Sequence, residues 1–250
     1  MNKLLICLTF LLLSIAPTLF AQHSTQFMPA LQDSVEIIVD EWGVPHIYAC
    51  DEADLFFAQG FQAAKDRLFQ LEMWRRQATG TVAELLGERE LKRDIGARLF
   101  QFRGDMEQEM KHYHPRGDRI IKSFVAGINA YIGLTEQHPE LLPLEFRLLN
   151  TRPQKWTPEV VVSRHQGLLG NIGQELEVAR LVALVGPERA KEIDWFHPGG
   201  PNLNIDPKIP TDLLFEDVLN LYNAFRRSIE FLPEDLISEA RREDFDYIEN

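Results

Sequence analysis

Cysteine is nearly absent from this 250-residue chain, with Cys7 and Cys50 its only two. Cys7 falls inside an N-terminal apolar run, so Cys50 stands alone in the rest of the chain and no intramolecular disulfide can staple the fold. Cys50 reads as a small, half-buried residue after a strand rather than as a nucleophile. Excess positive charge is also missing: 26 basic residues face 38 acidic ones, a formal net charge of −12. That balance argues against nucleic acid or an anionic membrane surface as a partner, since both require basic patches. Self-contained catalytic motifs are lacking too, with no G-x-S-x-G elbow, P-loop, H-E-x-x-H or C-x-x-C. His112 and His114 form an H-x-H pair without a second ligand cluster and read as exposed helix-end histidines. Beyond the N-terminal run, Leu4 to Leu13, no stretch approaches the ~20 apolar residues of a membrane span.

That run is itself informative. Lys3 supplies a short basic start, the apolar core comes next, and Pro17 precedes a cleavage position after Ala21. These are the parts of a secretory signal, which predicts a periplasmic or secreted protein with no membrane anchor after cleavage. The whole chain is 45% apolar and 10% aromatic, enough for a packed core rather than a disordered chain. The expected division is residues 1–21 as signal, 22–34 as a lead, 35–231 as the folded segment and 232–250 as an acidic tail or the start of a spacer.

The pattern along the chain predicts a short hairpin followed by helices. Val35 to Val39 is rich in β-branched residues, Asp40 to Gly43 turns the chain, and His46 to Ala49 continues as a second strand. His46 reads as a packed imidazole at the strand start. Asp51 is a strong N-cap for a long helix to Ala78, stopped by Gly80. A short helix is expected up to Leu86, and a mostly polar one over Ile95 to His112. An amphipathic helix carries Ile121, Phe124, Ile128 and Tyr131, and Leu141 to Asn150 looks irregular. Thr157-Pro158-Glu159 starts a helix that should run to about Val185, weakened at Gly167, Gly170 and Gly173. Gly186-Pro187 opens another short helix, Phe196 to Pro210 is aperiodic, and Leu214 to Ile229 is a final amphipathic helix.

The long helix is apolar on most faces, so it should be sandwiched between layers. It nevertheless carries Asp66, Arg67, Glu72, Arg75 and Arg76. Charges inside an apolar helix are costly unless paired, and Glu72 and Arg76 stand at i,i+4 in the favourable order. The five are expected to form a buried, mutually paired structural core. A chain with so wide an apolar helix is expected to aggregate when isolated.

DEWGVPHIYA, followed by AAKDRLFQLEMWRRQATGTVAELLG, closely resembles the start of the α-segment of the penicillin acylases. FVAGINAYI, LPLEFRLL, KWTPEVVV and the Glu-Leu pair at Glu175 come after it in the family's order. The resemblance covers about Val35 to Val185. It implies an α+β, predominantly helical fragment with a short N-terminal β-hairpin, the α-segment of an αββα N-terminal-nucleophile hydrolase. Such a protein is made as a precursor, or zymogen, and hydrolyses linear amides, either β-lactam side chains in antibiotic metabolism or acyl-homoserine lactones. The nucleophile is the N-terminal serine of a β-segment, and no Ser-Asn-Asn start of such a segment occurs in these residues. The resemblance therefore implies no catalytic residue in this chain, no activity without a β-subunit partner, and a small-molecule amide substrate. It further implies a structural Ca2+ shared with the β-segment through Glu175, with Glu177 in reserve, and an acyl pocket lined by Leu169 and Leu168. The rival expectation is a truncated, non-catalytic remnant or binding module.

Overall fold

The computed structural model describes residues 24–166, 172–196, 199–200 and 202–237. Residues 1–31 and 32–250 are two separate units. In the described part of the first, a single turn is closed by Leu31 N donating to Met28 O at 3.2 Å. The signal expected over 1–21 lies outside the described residues.

The second unit opens with an antiparallel hairpin of β1 (Glu36–Val39) and β2 (Pro45–Tyr48), with Ile38 opposite His46. Asp40 builds the turn. Its Oδ1 accepts from Trp42 N and Val44 N, both at 2.9 Å, while Gly43 takes the positive φ of 78° that the turn needs. His46 is exposed, not packed as expected, and its Nε2 lies 3.0 Å from Asp40 Oδ2. Cys50 is likewise exposed rather than half-buried. The exposure of His46 reflects a two-stranded sheet whose alternate residues face outward; Cys50 lies beyond the end of β2.

Helix α1 (Glu52–Thr79) is capped by Asp51, which accepts from Ala53 N, and closed by Gly80 in the left-handed conformation. It bends at Arg67, whose φ of −140° and ψ of 31° leave the helical region. Next come α2 (Ala83–Leu86), α3 (Leu91–Phe100), α4 (Met106–Tyr113) and α5 (Gly117–Gln137). The single helix expected over Ile95 to His112 is thus two. Arg103 turns back to donate to Leu99 O at 2.8 Å, and Asp105 caps the new helix through Gln108 N. The stretch read as irregular contains α6 (Leu144–Leu148), ended by Asn150 at φ 47°. The remaining helices are α7 (Pro158–Gln166), α8 (Ile172–Val185), α9 (Pro187–Ile193) and α10 (Asn220–Arg226). The final helix is shorter than its apolar pattern because a 3-10 turn, Thr211–Phe215, precedes it.

The core lies between α1 and α5. Leu68, Leu71, Ile128, Ile132, Phe146 and Trp156 are its buried centre, with Phe61 edge-on to Tyr131 at 5.4 Å. The two helices cross backbone to backbone. A Cβ at Gly60 would stand 2.0 Å from Phe124 O, and one at Gly127 would stand 1.9 Å from Phe57 O. Only glycine permits that approach. No helix among the described residues is long and apolar enough to cross a membrane.

Candidate functional site

The charges embedded in α1 divide into two groups. Glu72, Arg75 and Arg76 are buried, and Glu72 is their hub. Arg75 donates to it twice, Nε at 2.9 Å and Nη2 at 2.7 Å. Arg76 Nε stands 2.9 Å from Glu72 Oε1 as a charge contact, out of line for a hydrogen bond. Two arginines against one carboxylate leave a positive excess, which oxygens from elsewhere meet. Arg76 donates to Thr81 O at 3.0 Å and Thr151 Oγ1 at 3.2 Å, with Glu84 3.5 Å away at the rim.

Asp66 and Arg67 lie outside this set and correct the expectation of a five-residue core. Both are exposed, and neither forms an ion pair among the described residues. The bend at Arg67 rotates its surroundings off the regular helical stripe, so the periodicity that placed it inward does not hold there. Asp66 instead accepts two 2.9 Å hydrogen bonds from the buried Gln62 side chain.

The hub's second role is to hold the segment entering α7. Glu72 Oε2 accepts from Gln154 N at 3.1 Å. Two residues further on, Asn129 of α5 clamps both sides of Trp156, donating to its carbonyl at 2.9 Å and accepting its N–H at 2.8 Å. Residues 151–156 are therefore tied to α1 and α5 immediately before α7 begins. Leu168 and Leu169, expected to line an acyl pocket, lie just past α7 and outside the described residues. On α7 itself, Arg164 stacks over the Trp74 ring at 5.3 Å, and its buried Nε has no partner. Burial pulls its pKa below the ordinary value, and the positive charge of Arg226 adds to that.

Glu175 and Glu177 are exposed on α8. Calcium requires six to eight oxygen ligands, and no group of three His, Cys, Asp or Glu side chains converges among the described residues. The described residues do not build a calcium site by themselves.

The buried partners of Asp54, Asp94 and Arg93 escaped the sequence reading. Asp54 accepts from Gln32 N and Asp33 N, tying the start of the second unit to α1. Asp94 accepts from Val82 N at 3.0 Å and Ala83 N at 2.7 Å and so caps α2; burial raises its pKa against those two bonds. Arg93 is fully buried and paired with Glu90 at 2.5 Å. The spacing of Glu90, Arg93 and Asp94, at i, i+3 and i+4 on one helix face, was the available signal.

Known proteins resemble this chain in sequence and in fold. The sequence profile described as Penicillin amidase matches residues 34–212, and the chain belongs to that family. It is 34% identical over 200 residues to the penicillin acylase 2 proenzyme of Pseudomonas sp. (strain SE83), covering 79% of this chain and 25% of that protein. It is 36% identical over 149 residues to penicillin G acylase of Escherichia coli, covering 58% and 18%. Against the acyl-homoserine lactone acylase QuiP of Pseudomonas aeruginosa the identity is 29% over 196 residues, covering 77% and 22%. The chain therefore spans a quarter or less of the length of these relatives. Among solved structures, a thermostable penicillin G acylase from Alcaligenes faecalis superposes with a TM-score of 0.55 at 29% identity, covering 70% of this chain and 98% of that one. The predominantly helical fragment with a short N-terminal hairpin is the fold class expected from the sequence.

Proposed function

We propose that this chain is the α-segment of an exported acylase that hydrolyses linear amides, of the β-lactam side-chain or acyl-homoserine lactone type. The nucleophile in this reading is the N-terminal serine of a β-segment supplied from outside these 250 residues. The observation that carries it is the superposition of 70% of this chain on 98% of one penicillin G acylase chain.

In this reading the serine hydroxyl attacks the amide carbonyl while its own α-amine, with a reference pKa near ~8, takes the proton and delivers it to the leaving amine. Water then cleaves the acyl-serine ester. This chain binds and positions: Glu72 and Asn129 fix the entry to α7, and the Leu168–Leu169 step beyond it contacts the acyl group. Glu175 supplies one oxygen to a structural Ca2+ whose remaining ligands belong to the β-segment, with Glu177 as the alternative. Export by the N-terminal signal places the enzyme in the periplasm or outside the cell.

The test is to produce the chain with and without a β-segment beginning Ser-Asn-Asn, then measure hydrolysis of a phenylacetyl anilide and of an acyl-homoserine lactone. Turnover should require both segments, and Glu175→Gln should weaken calcium binding by the pair, measured calorimetrically. Turnover by the chain alone would overturn the reading. An assembled pair that cleaves neither amide would favour a non-catalytic remnant.

A further inference from the structure

After α10 the chain does not trail away. Arg93, at 0% exposure, donates to three carbonyls at the end of α10: Arg227 O at 2.6 Å, Ser228 O at 2.8 Å and Phe225 O at 3.4 Å. Arg227 is paired with Glu90 at 3.3 Å. Phe231 lies against Phe69 of α1, with ring centroids 5.8 Å apart. Asp235 meets Arg89 at 2.5 Å and accepts from Leu232 N at 2.6 Å. Ile237 N donates to Leu148 O at 3.0 Å. Between this strap and the body lies a cavity of about 430 Å3, lined by Arg89, Glu90, Arg227, Ser228, Glu230 and Leu232.

We infer that Ser228 to Ile237 is a clasp belonging to the folded body, and that the bond at which this segment is cut from any polypeptide beyond it lies after Ile237. A protease needs a stretch of backbone drawn out of its contacts. Drawing out 228–237 would strip the fully buried Arg93 of the Ser228 carbonyl and remove Ser228, Glu230 and Leu232 from the cavity wall. A cut at Phe231, where the folded segment was expected to end, would remove Asp235 from Arg89 and Ile237 from Leu148. Only the existence of a maturation cut rests on the α-segment reading; the clasp itself does not.

Limited trypsin digestion of the folded 250-residue chain, with intact mass as the readout, tests the clasp. The Arg226–Arg227 and Arg227–Ser228 bonds should be cut at least about tenfold more slowly than the exposed turn bond after Lys208. Asp235→Asn, which spares the core, should speed cleavage at Arg227 by about tenfold and leave the Lys208 rate unchanged. Equal rates at Lys208 and Arg227, or no acceleration in Asp235→Asn, would overturn the inference. When the chain is matured from a longer precursor, the product must retain Ile237. A product ending earlier overturns the inference, whereas a precursor that is never cut counts against the α-segment reading and leaves the trypsin result to decide the clasp.

Discussion

Replacing Glu72 by Gln is the sharpest probe of the scaffold. The Glu72 side chain has no exposure, and those of Arg75 and Arg76 have 6% each. Glu72 holds two hydrogen bonds from Arg75, the charge contact with Arg76 and the Gln154 N–H. Glutamine keeps one acceptor oxygen but turns an amide N–H2 toward these donors, and two buried guanidinium groups lose their only buried counter-charge among the described residues. Removing one partner of a buried pair costs about 3–5 kcal/mol, a large fraction of the ~5–15 kcal/mol that holds a typical domain together. With a urea slope near ~3 kcal/mol/M, the midpoint should fall by at least about 1 M. The assay is urea unfolding monitored by far-UV circular dichroism, with Glu84→Gln as control. Glu84 is 61% exposed at 3.5 Å from Arg76, so its loss should cost no more than about 0.5 kcal/mol. Replacing the triad together, Glu72→Leu with Arg75→Met and Arg76→Met, should cost less than Glu72→Gln, since no charge is left buried. A Glu72→Gln penalty below about 1 kcal/mol would refute the hub.

Gly127→Ala should lower stability by about 1–3 kcal/mol, read as a fall in Tm, because the new methyl meets Phe57 O and Phe61 N and the helices must part; an unchanged Tm would contradict the crossing. Asn129→Leu removes both bonds to the Trp156 backbone and should cost about 1–3 kcal/mol, with red-shifted tryptophan emission as Trp156 gains water. Arg67→Met should stay within about 0.5 kcal/mol of the parent, as for other exposed positions. The Arg89 hydrogen bond holds the Asp235 carboxyl below its ordinary value of 3.8, outweighing burial. A carboxylate whose pKa falls on folding stabilises above its unfolded pKa and loses that contribution as pH drops through the folded one. Protection from hydrogen exchange over 228–237, corrected for the intrinsic pH dependence, should therefore be high at neutral pH and fall only below 3.8; loss of protection near pH ~6 would show that another group, such as a histidine, controls the clasp.

Where local chemistry decides structure, the sequence was readable. Asp51 and Gly80 bound α1 to within a residue of the expectation, because an N-cap carboxylate and a left-handed glycine act over two or three residues. Gly43 and Asp40 marked the hairpin turn for the same reason. What failed depended on distant partners. The bend at Arg67 broke the period that assigned two charges to the core. Arg93 stands ahead of the polar helix expected from Ile95 and reads as one more surface cation until the carbonyls of Arg227 and Ser228, 134 and 135 residues further along, arrive beside it. Of the candidate site, the charges were visible as anomalies on α1, but the tether to Gln154 was not, since a backbone N–H leaves no trace in composition.

The contact between Gly60 and Gly127 has a mechanical consequence. With backbone against backbone there, α1 and α5 can pivot but cannot slide. Thr79 lies 19 residues beyond Gly60, past the bend at Arg67, at most about 28 Å away at ~1.5 Å per residue, so a swing of about 5° displaces that end by up to roughly 2.5 Å. The far arm of such a lever needs its own brace. Gln154 N holds the arm at Glu72, while Asn129, two residues from Gly127, anchors Trp156 beside the pivot, so a two-residue link braces the arm against its own fulcrum.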